Sequence, residues 1–253
     1  MISPNRFENF FENQQYLALK NLLYNYRLRK RAVEKALSGE EMILTLEVGS
    51  GISPVVTLTH QIVYTDISFA AVSMLRQSRQ KGWYVVADAM NLPFKEGSFS
   101  HGVASEVLEH LPDDRRALRE MAAVLKRPGR LIVTFPHRRD YFTRDDAFAG
   151  HYRRYELHEM CGAMEAAGLH PAAVEKVLGP LEKVTMIIAV GCLHGAGRFG
   201  SGHALPYVRT GWIQLLAPLF KWVNRLYAIP VRLDAKIMPR KYSSVLLMKS
   251  EKY

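Results

Sequence analysis

The chain has 253 residues, 48% hydrophobic and 23% charged, the balance of a globular protein with a real core and not of a disordered chain. Cys161 and Cys192 are its two cysteines, too few for a disulfide scaffold or a four-cysteine zinc site. The nine histidines show no HExxH and no short His-x3-His spacing, so no metal is expected. The net charge of +10 is unevenly spread. Lys183 to Ser250 holds ten basic residues against one acid, Asp234, and the remainder is nearly neutral. A uniformly basic nucleic-acid binder would look different, and nucleic acid is not expected as a partner.

At the N-terminus, Met1 to Asn13 carries Arg6, Glu8 and Glu12 and has no apolar core, so no secretory signal is expected. No stretch approaches the roughly 18 apolar residues of a membrane span. The expected location is cytoplasmic, at the inner face of a membrane if the basic segment docks there. Residues 1–40 read as an N-terminal helical segment: Leu19, Leu22, Leu23, Tyr26, Val33 and Leu37 fall near helical spacing. Its Arg27, Arg29, Lys30 and Arg31 make either a solvated face or an anion-facing patch.

From Met42 the pattern becomes short apolar runs separated by amphipathic stretches. MILTLEVG, QIVYTDI, WYVVADA, HGVASEV and RLIVTFP read as buried strands. SFAAVSMLRQSRQ and PDDRRALREMAAVLK read as helices, the second started by Pro112 and Asp113. A further helix spans about Tyr155 to Ala167 and stops at Gly168. This alternation means a doubly wound α/β fold with a mostly parallel sheet. AAVEKVLG and SVLLMK add two strands, and the long segment between them exceeds any hairpin loop. Residues 41–180 with 243–253 therefore form the sheet domain, and 181–242 a basic amphipathic helical insertion, expected to act as a lid, a membrane contact or both. Within that insertion GCLHGAGRFGSGH reads as a connector. On a helical template Leu215, Leu219, Trp222, Val223 and Leu226 share one side, with Trp212 close by.

The chemistry lies at the strand ends. The first strand runs into Glu47-Val48-Gly49-Ser50-Gly51, where glycines let the backbone turn tightly and approach a ligand. The second ends in Asp66, placed to accept from ribose hydroxyls, and the third in Asp88-Ala89, placed to meet an adenine edge. Glycine turn, acid and acid at successive strand ends make an adenosine-shaped constellation. EVGSG, YTDIS, ADAMNLPFKEGSFS and SEVLEHLPDDRRALREMAAVLKRPGRLIVTFP together resemble the class I adenosylmethionine-dependent methyltransferases of the small-molecule type, over roughly Met42 to Val177.

The resemblance implies a Rossmann-like seven-stranded sheet with an antiparallel last strand, and S-adenosyl-L-methionine as cofactor. It implies that Glu47, Gly49, Ser50 and Gly51 hold the methionine moiety, that Asp66 takes the ribose with Ile67 beside the adenine, and that Asp88 and the Ala89 N–H meet the adenine. Ser105 and Glu106 would border the sulfonium. Two departures stand out: Ser53 where many members have a third glycine, and Ser100 where a Phe-Asp pair has its acid. Tyr152, Arg153 and Arg154 fall near the acceptor, where the arginines either pair with an acceptor carboxylate or phosphate or are held by nearby acids. His110, His137 and His151 are candidates for a general base, with His110 and His151 taken as catalytic residues.

The expected activity is methyl transfer to a small molecule or a lipid-like, anionic acceptor, with peripheral contact to an anionic membrane through the insertion. A non-catalytic adenosylmethionine-binding module is the competing reading. A nucleic-acid methyltransferase is disfavoured because SEVLEH stands where base-modifying enzymes carry an Asn/Asp-Pro-Pro-aromatic run. An NAD-linked oxidoreductase is disfavoured because position 54, after Gly49 and Gly51, is proline.

Overall fold

The computed structural model describes residues 23–39, 41, 43–78, 80–195 and 210–253. Leu19, Leu22, Met42 and most of the glycine-rich connector lie outside the described residues, as do the side chains of Trp212 and Leu215. In chain order the elements are α1 (Tyr24–Leu37), β1 (Thr45–Val48), β2 (Ile62–Asp66), α2 (Phe69–Gln77), β3 (Trp83–Val86) and β4 (Phe99–Ser105). They continue with α3 (Asp114–Val124), β5 (Leu125–Pro136), α4 (Arg144–Ala149), α5 (Leu157–Ala166), β6 (His170–Leu178), α6 (Pro180–Gly195), α7 (Thr210–Ile237) and β7 (Val245–Lys252).

The strands make one seven-stranded sheet in the order β3-β2-β1-β4-β5-β7-β6. β1 pairs in parallel with β2 on one side and β4 on the other, and β7 pairs antiparallel with β5 and β6. This is the doubly wound class read from the alternation, with the antiparallel last strand the resemblance implied. The chain builds β1, β2 and β3 outward and then returns to place β4 on the opposite side of β1. That reversal is the switch point, and ligands of open α/β sheets bind at the carboxyl ends of the strands beside it.

Local chemistry sets the boundaries. Ser68 caps α2 by accepting from the Ala71 N–H at 3.3 Å, and Asp113 caps α3 by accepting from Arg116 at 2.9 Å. Thr143 and Asp146 form a capping box at the start of α4, and Glu156 and Glu159 form one at α5. Gly150 and Gly168 lie just beyond α4 and α5 with φ of 79° and 78°, a left-handed conformation open to glycine. One face of the sheet buries Leu46, Val48 and Ala104 against Leu118 and Met121 of α3 and Met160 and Met164 of α5. The other buries Ile62, Tyr64, Val103 and Ile132 against Val33 and Leu37 of α1 and Val231 of α7.

The insertion is two helices, α6 and α7, with Pro218 and Pro230 inside α7. Asn224, Val231 and Ala235 of α7 are buried, and α7 packs on β6 and α1. Leu219, Trp222, Val223 and Leu226, which the helical template put on one side, face solvent, as do Ile229, Leu233 and Ile237 further along. The packing of α7 on β6 and α1 comes from the opposite side, through Asn224, Val231 and Ala235. Among the described residues no helix is long and apolar enough to cross a membrane.

Candidate active site

β1 ends at Glu47-Val48, and the chain turns through Gly49 and Gly51 at φ of 69° and 54°. A side chain at Gly49 meets a second obstacle besides the positive φ. Its Cβ would lie 2.5 Å from a methyl of Val107, so only glycine lets the turn pass under the start of the β4 loop. Glu47 is buried, and its two carboxylate oxygens accept the Val55 and Val56 N–H groups at 2.7 and 3.0 Å. Its carboxylate thus shapes the loop beyond the glycines. Ser50 donates its N–H to the Thr65 carbonyl at 2.9 Å, fixing the turn to β2. Ser53, in place of a third glycine, is buried, and Ser100, in place of the acid, bonds the Leu44 carbonyl at 3.1 Å and steadies the entry to β1.

Asp66 closes the turn from the other side. Its Oδ2 accepts the Gly51 N–H at 2.9 Å and its Oδ1 accepts the Ser68 N–H at 2.9 Å. The carboxylate therefore sits between the glycine turn and the start of α2. Beside it Ile67 and Phe69 expose large apolar side chains at the sheet edge. Asp88 accepts the Met90 N–H at 2.8 Å, with Ala89 buried next to it.

At the end of β4, the Ser105 hydroxyl lies 2.8 Å from that of Thr134. Glu106 has a φ of 56°, unusual for a residue with a side chain, and its Oε2 pairs with Arg29 at 3.2 Å. Its Oε1 is buried and has no hydrogen-bond partner. Arg29 comes from α1, whose Tyr26 hydroxyl donates to the Pro54 carbonyl at 2.8 Å and whose Lys30 reaches Thr57 at 2.8 Å. Two members of the basic run, Arg29 and Lys30, are thus engaged by the protein, while Arg31 is exposed. Lys30 ties down the loop and Arg29 faces the Glu106 carboxylate, a contact that helical spacing alone did not single out.

These residues fit a nucleoside carrying a cationic centre. Asp66 and Asp88 stand at adjacent strand ends beside exposed apolar surface, and the Glu106 oxygen without a partner suits a positive ligand group.

Beyond β4 a 3-10 turn over Leu108–His110 places Glu109 fully inside the protein. Neither oxygen of its carboxyl has a hydrogen-bond partner. Burial, reinforced by the neighbouring Glu106 charge, holds this carboxyl well above the usual range. The Tyr152 N–H donates to the Glu109 carbonyl at 2.8 Å, which brings the loop after α4 against the turn. His110 and His151 meet there edge to face, ring centroids 4.7 Å apart. His151 Nδ1 lies 2.9 Å from Asp146 Oδ1.

Asp146 also accepts from Arg154 at 2.7 Å, Lys183 at 2.6 Å and the Thr143 N–H at 3.0 Å. Burial opposes its charge, but the bonds from His151, Arg154 and Lys183 prevail and hold its carboxyl well below the usual range.

The other predicted site residues take different places. Arg154 is buried and divides its donors between Asp146 and the carbonyls of His137 and Ser244. Arg153 pairs with Asp114 at 3.1 Å and donates to the Pro112 carbonyl. Both guanidiniums are held by the protein itself, while Tyr152 is exposed. His137 is buried against the Ser243 carbonyl at 3.0 Å, and burial lowers its basicity.

A glycine turn between strand-end acids thus stands at the switch point of a 3-2-1-4-5-7-6 sheet, where open α/β folds bind their ligands. Residues 46–133 match the sequence model of the methyltransferase domain family. Over 112 residues the chain is 35% identical to a demethylmenaquinone methyltransferase of Thermotoga maritima, covering 42% of this chain and 48% of that one. Over 100 residues it is 32% identical to the enzyme of the same name from Paenarthrobacter aurescens, covering 38% and 40%. The chain spans about half the length of the relatives it matches, or less.

Among solved structures, a SAM-dependent methyltransferase from Thermotoga maritima has a TM-score of 0.62 at 17% identity, covering 98% of both chains. A Haemonchus contortus phosphoethanolamine N-methyltransferase, bound to phosphomonomethylethanolamine and S-adenosylhomocysteine, has a TM-score of 0.59 at 15% identity, covering 98% of this chain and 61% of that one. At these identities the likeness concerns the fold. Over residues 46–133 the chain is thus similar to the methyltransferase domain family, and its fold is the one shared by these S-adenosylmethionine-dependent methyltransferases.

Proposed function

We propose that this protein transfers the methyl group of adenosylmethionine to a small, largely apolar acceptor that it meets at an anionic membrane surface. The observation that carries the transfer is the Gly49–Gly51 turn tied to Asp66 at the switch point, with the Glu106 oxygen across from it. In this reading the exposed backbone at Gly49, with Glu47, Ser50 and Gly51 shaping the loop, receives the methionine moiety. Asp66 takes the ribose beside Ile67, Asp88 and Ala89 meet the adenine, and Ser105 and Glu106 border the sulfonium. The bound cofactor supplies an activated methyl group, so the protein mainly aligns the acceptor and excludes water. His110 and His151, brought together past β4, stand on the acceptor side. Arg154 acts there through Asp146 and not by touching the acceptor, while Tyr152 and the partly exposed Arg153 line its approach.

The acceptor class rests on α7. Leu219, Trp222, Leu226, Ile229, Leu233 and Ile237 recur every three or four residues and are 46–76% exposed. Lys221, Arg225, Arg232 and Lys236 flank them in the open. An apolar stripe with a tryptophan and basic borders suits an interfacial helix. Each base near an anionic surface contributes about 1 kcal/mol, so four contribute about 4 kcal/mol. The relatives named for demethylmenaquinone agree with an apolar acceptor.

Calorimetry with S-adenosylhomocysteine and with NAD tests the cofactor reading: binding of the first and not the second is expected, and the reverse overturns it. Release of S-adenosylhomocysteine from adenosylmethionine on addition of a quinol acceptor separates an enzyme from a binding module. Sedimentation with anionic vesicles should exceed that with neutral ones and fall with salt and with Lys221→Glu plus Arg225→Glu. Equal sedimentation with both removes the membrane from the reading.

A further inference from the structure

We propose that Glu109, His110 and His151 form a binding site for one divalent transition-metal ion, a site that goes beyond the methyl-transfer reading and does not depend on it. One ligand atom from each of the three lies within 4.8 Å of the others. His151 Nε2 stands 4.0 Å from Glu109 Oε1. That is too long for a hydrogen bond. Two ligands bound at about 2.0–2.2 Å to one ion stand about 3.3–4.4 Å apart, depending on the angle between them.

The donor set is prepared for an ion in two further ways. Glu109 is completely buried, yet both its carboxyl oxygens lack a hydrogen-bond partner. A buried acid ordinarily finds donors, because leaving it without them costs free energy. A cation between Glu109 and His151 supplies what the protein does not. His151 is also held for the task. Its Nδ1 is tied at 2.9 Å to Asp146, itself fixed by Arg154 and Lys183. The proton therefore sits on Nδ1 and the Nε2 lone pair faces Glu109. A carboxylate that orients a ligating imidazole in this way is a recurrent support of metal sites.

The backbone keeps the parts in register, since the Tyr152 N–H holds the Glu109 carbonyl. Two imidazoles and one carboxylate favour zinc, manganese or iron over calcium or magnesium. Three protein ligands leave a coordination position open, three residues beyond Glu106, on the acceptor side.

The test uses the full chain, stripped with a chelator and titrated with zinc chloride and, separately, manganese chloride by calorimetry. Metal content is read by plasma mass spectrometry. One tight equivalent per chain is expected, together with a rise in melting temperature. Glu109→Gln and His151→Asn should each weaken that equivalent on the order of 100-fold or more, since loss of a mere supporting residue costs about 10–100-fold. Weak binding at surface histidines survives both changes and is thereby told apart. Glu109→Gln keeps the shape of a neutral acid, so metal-free stability should hold while the metal-induced rise disappears. Where that variant does not fold, His110→Asn gives the same reading. No tight equivalent of either metal, or an equivalent unaffected by all the variants that fold, overturns the proposal. Neither result bears on binding of S-adenosylhomocysteine, which is measured separately.

Discussion

Asp146→Asn tests the electrostatic frame beneath the site. Asp146 is buried and accepts four donors: the Thr143 N–H, His151 Nδ1, Arg154 Nε and Lys183 Nζ. Its neighbour Asp145 accepts from Lys183 through both oxygens, at 2.9 and 2.8 Å. Two buried carboxylates thus balance two buried cations. An asparagine offers one oxygen and turns an amide N–H2 toward two of the four donors, either Arg154 and His151 or Lys183 and the Thr143 N–H. Breaking a buried pair from one side costs about 3–5 kcal/mol. At roughly 2–4 °C per kcal/mol for a chain of this size, the melting temperature should fall by about 6–20 °C.

Adding Lys183→Met restores the balance, Asp145 against Arg154. The double variant should recover about 1–3 kcal/mol relative to the sum of the single changes. The pH dependence has a defined sign. The Asp146 carboxyl is held below its unfolded value near 3.9, so its stabilisation is present above about pH 4 and is lost as pH falls further. The gap between wild type and Asp146→Asn in urea melts should therefore narrow below about pH 4. A cost under about 1 kcal/mol at neutral pH, or strictly additive single variants, refutes the argument.

Asp66→Asn removes the charge between the glycine turn and α2 while keeping an oxygen there. A hydrogen bond to a charged group is worth about 1.5–3 kcal/mol, so S-adenosylhomocysteine affinity should drop about 10–100-fold by calorimetry, with a lower melting temperature as well because the Gly51 or Ser68 N–H loses its acceptor. Unchanged affinity would remove Asp66 from the ribose. Gly49→Ala meets both the positive φ and the Val107 methyl at 2.5 Å. It should destabilise by at least about 1–2 kcal/mol, and Val107→Ala should return the steric part but not the backbone part. If Val107→Ala restores nothing, the obstacle lies elsewhere in the turn.

The fold was legible because its central strands are buried on both faces and its helices on one. A parallel strand such as Ile62–Asp66, buried throughout, must read as an unbroken apolar run. The helix of Asp114–Val124 must read as a stripe, with Leu118 and Met121 inward and Arg115, Arg116 and Arg119 outward. The clustering of the residues proposed for the cofactor was legible for a related reason. Each of its residues follows directly from the end of a strand, so sequence order and spatial order coincide at Gly49, Asp66, Asp88 and Ser105. What α7 faces was not legible. Periodicity finds the stripe of Leu219, Trp222 and Leu226 but not which side packs, and the shorter side of Asn224, Val231 and Ala235 took the contact with β6 and α1.

The acceptor side hid its geometry because its parts come from segments far apart in the chain. Glu109 and His151 lie 42 positions apart, and Lys183 is 37 residues from the Asp146 it neutralises. No spacing rule joins them. The sheet does, by bringing the turn after β4 under the loop after α4, and the Tyr152–Glu109 backbone bond holds the two together, with Arg153 reaching Pro112 and Asp114. The Arg153-Arg154 pair shows the same limit from the other direction. Adjacent arginines beside a tyrosine read as one anion site, yet successive side chains of an extended segment point opposite ways. Arg154 therefore turns inward to Asp146, and Arg153 outward to Asp114 at the cap of α3. Each fixes a different wall. The pairing of His151 with the buried charge of Asp146 is recognised only when the fold has put the two together.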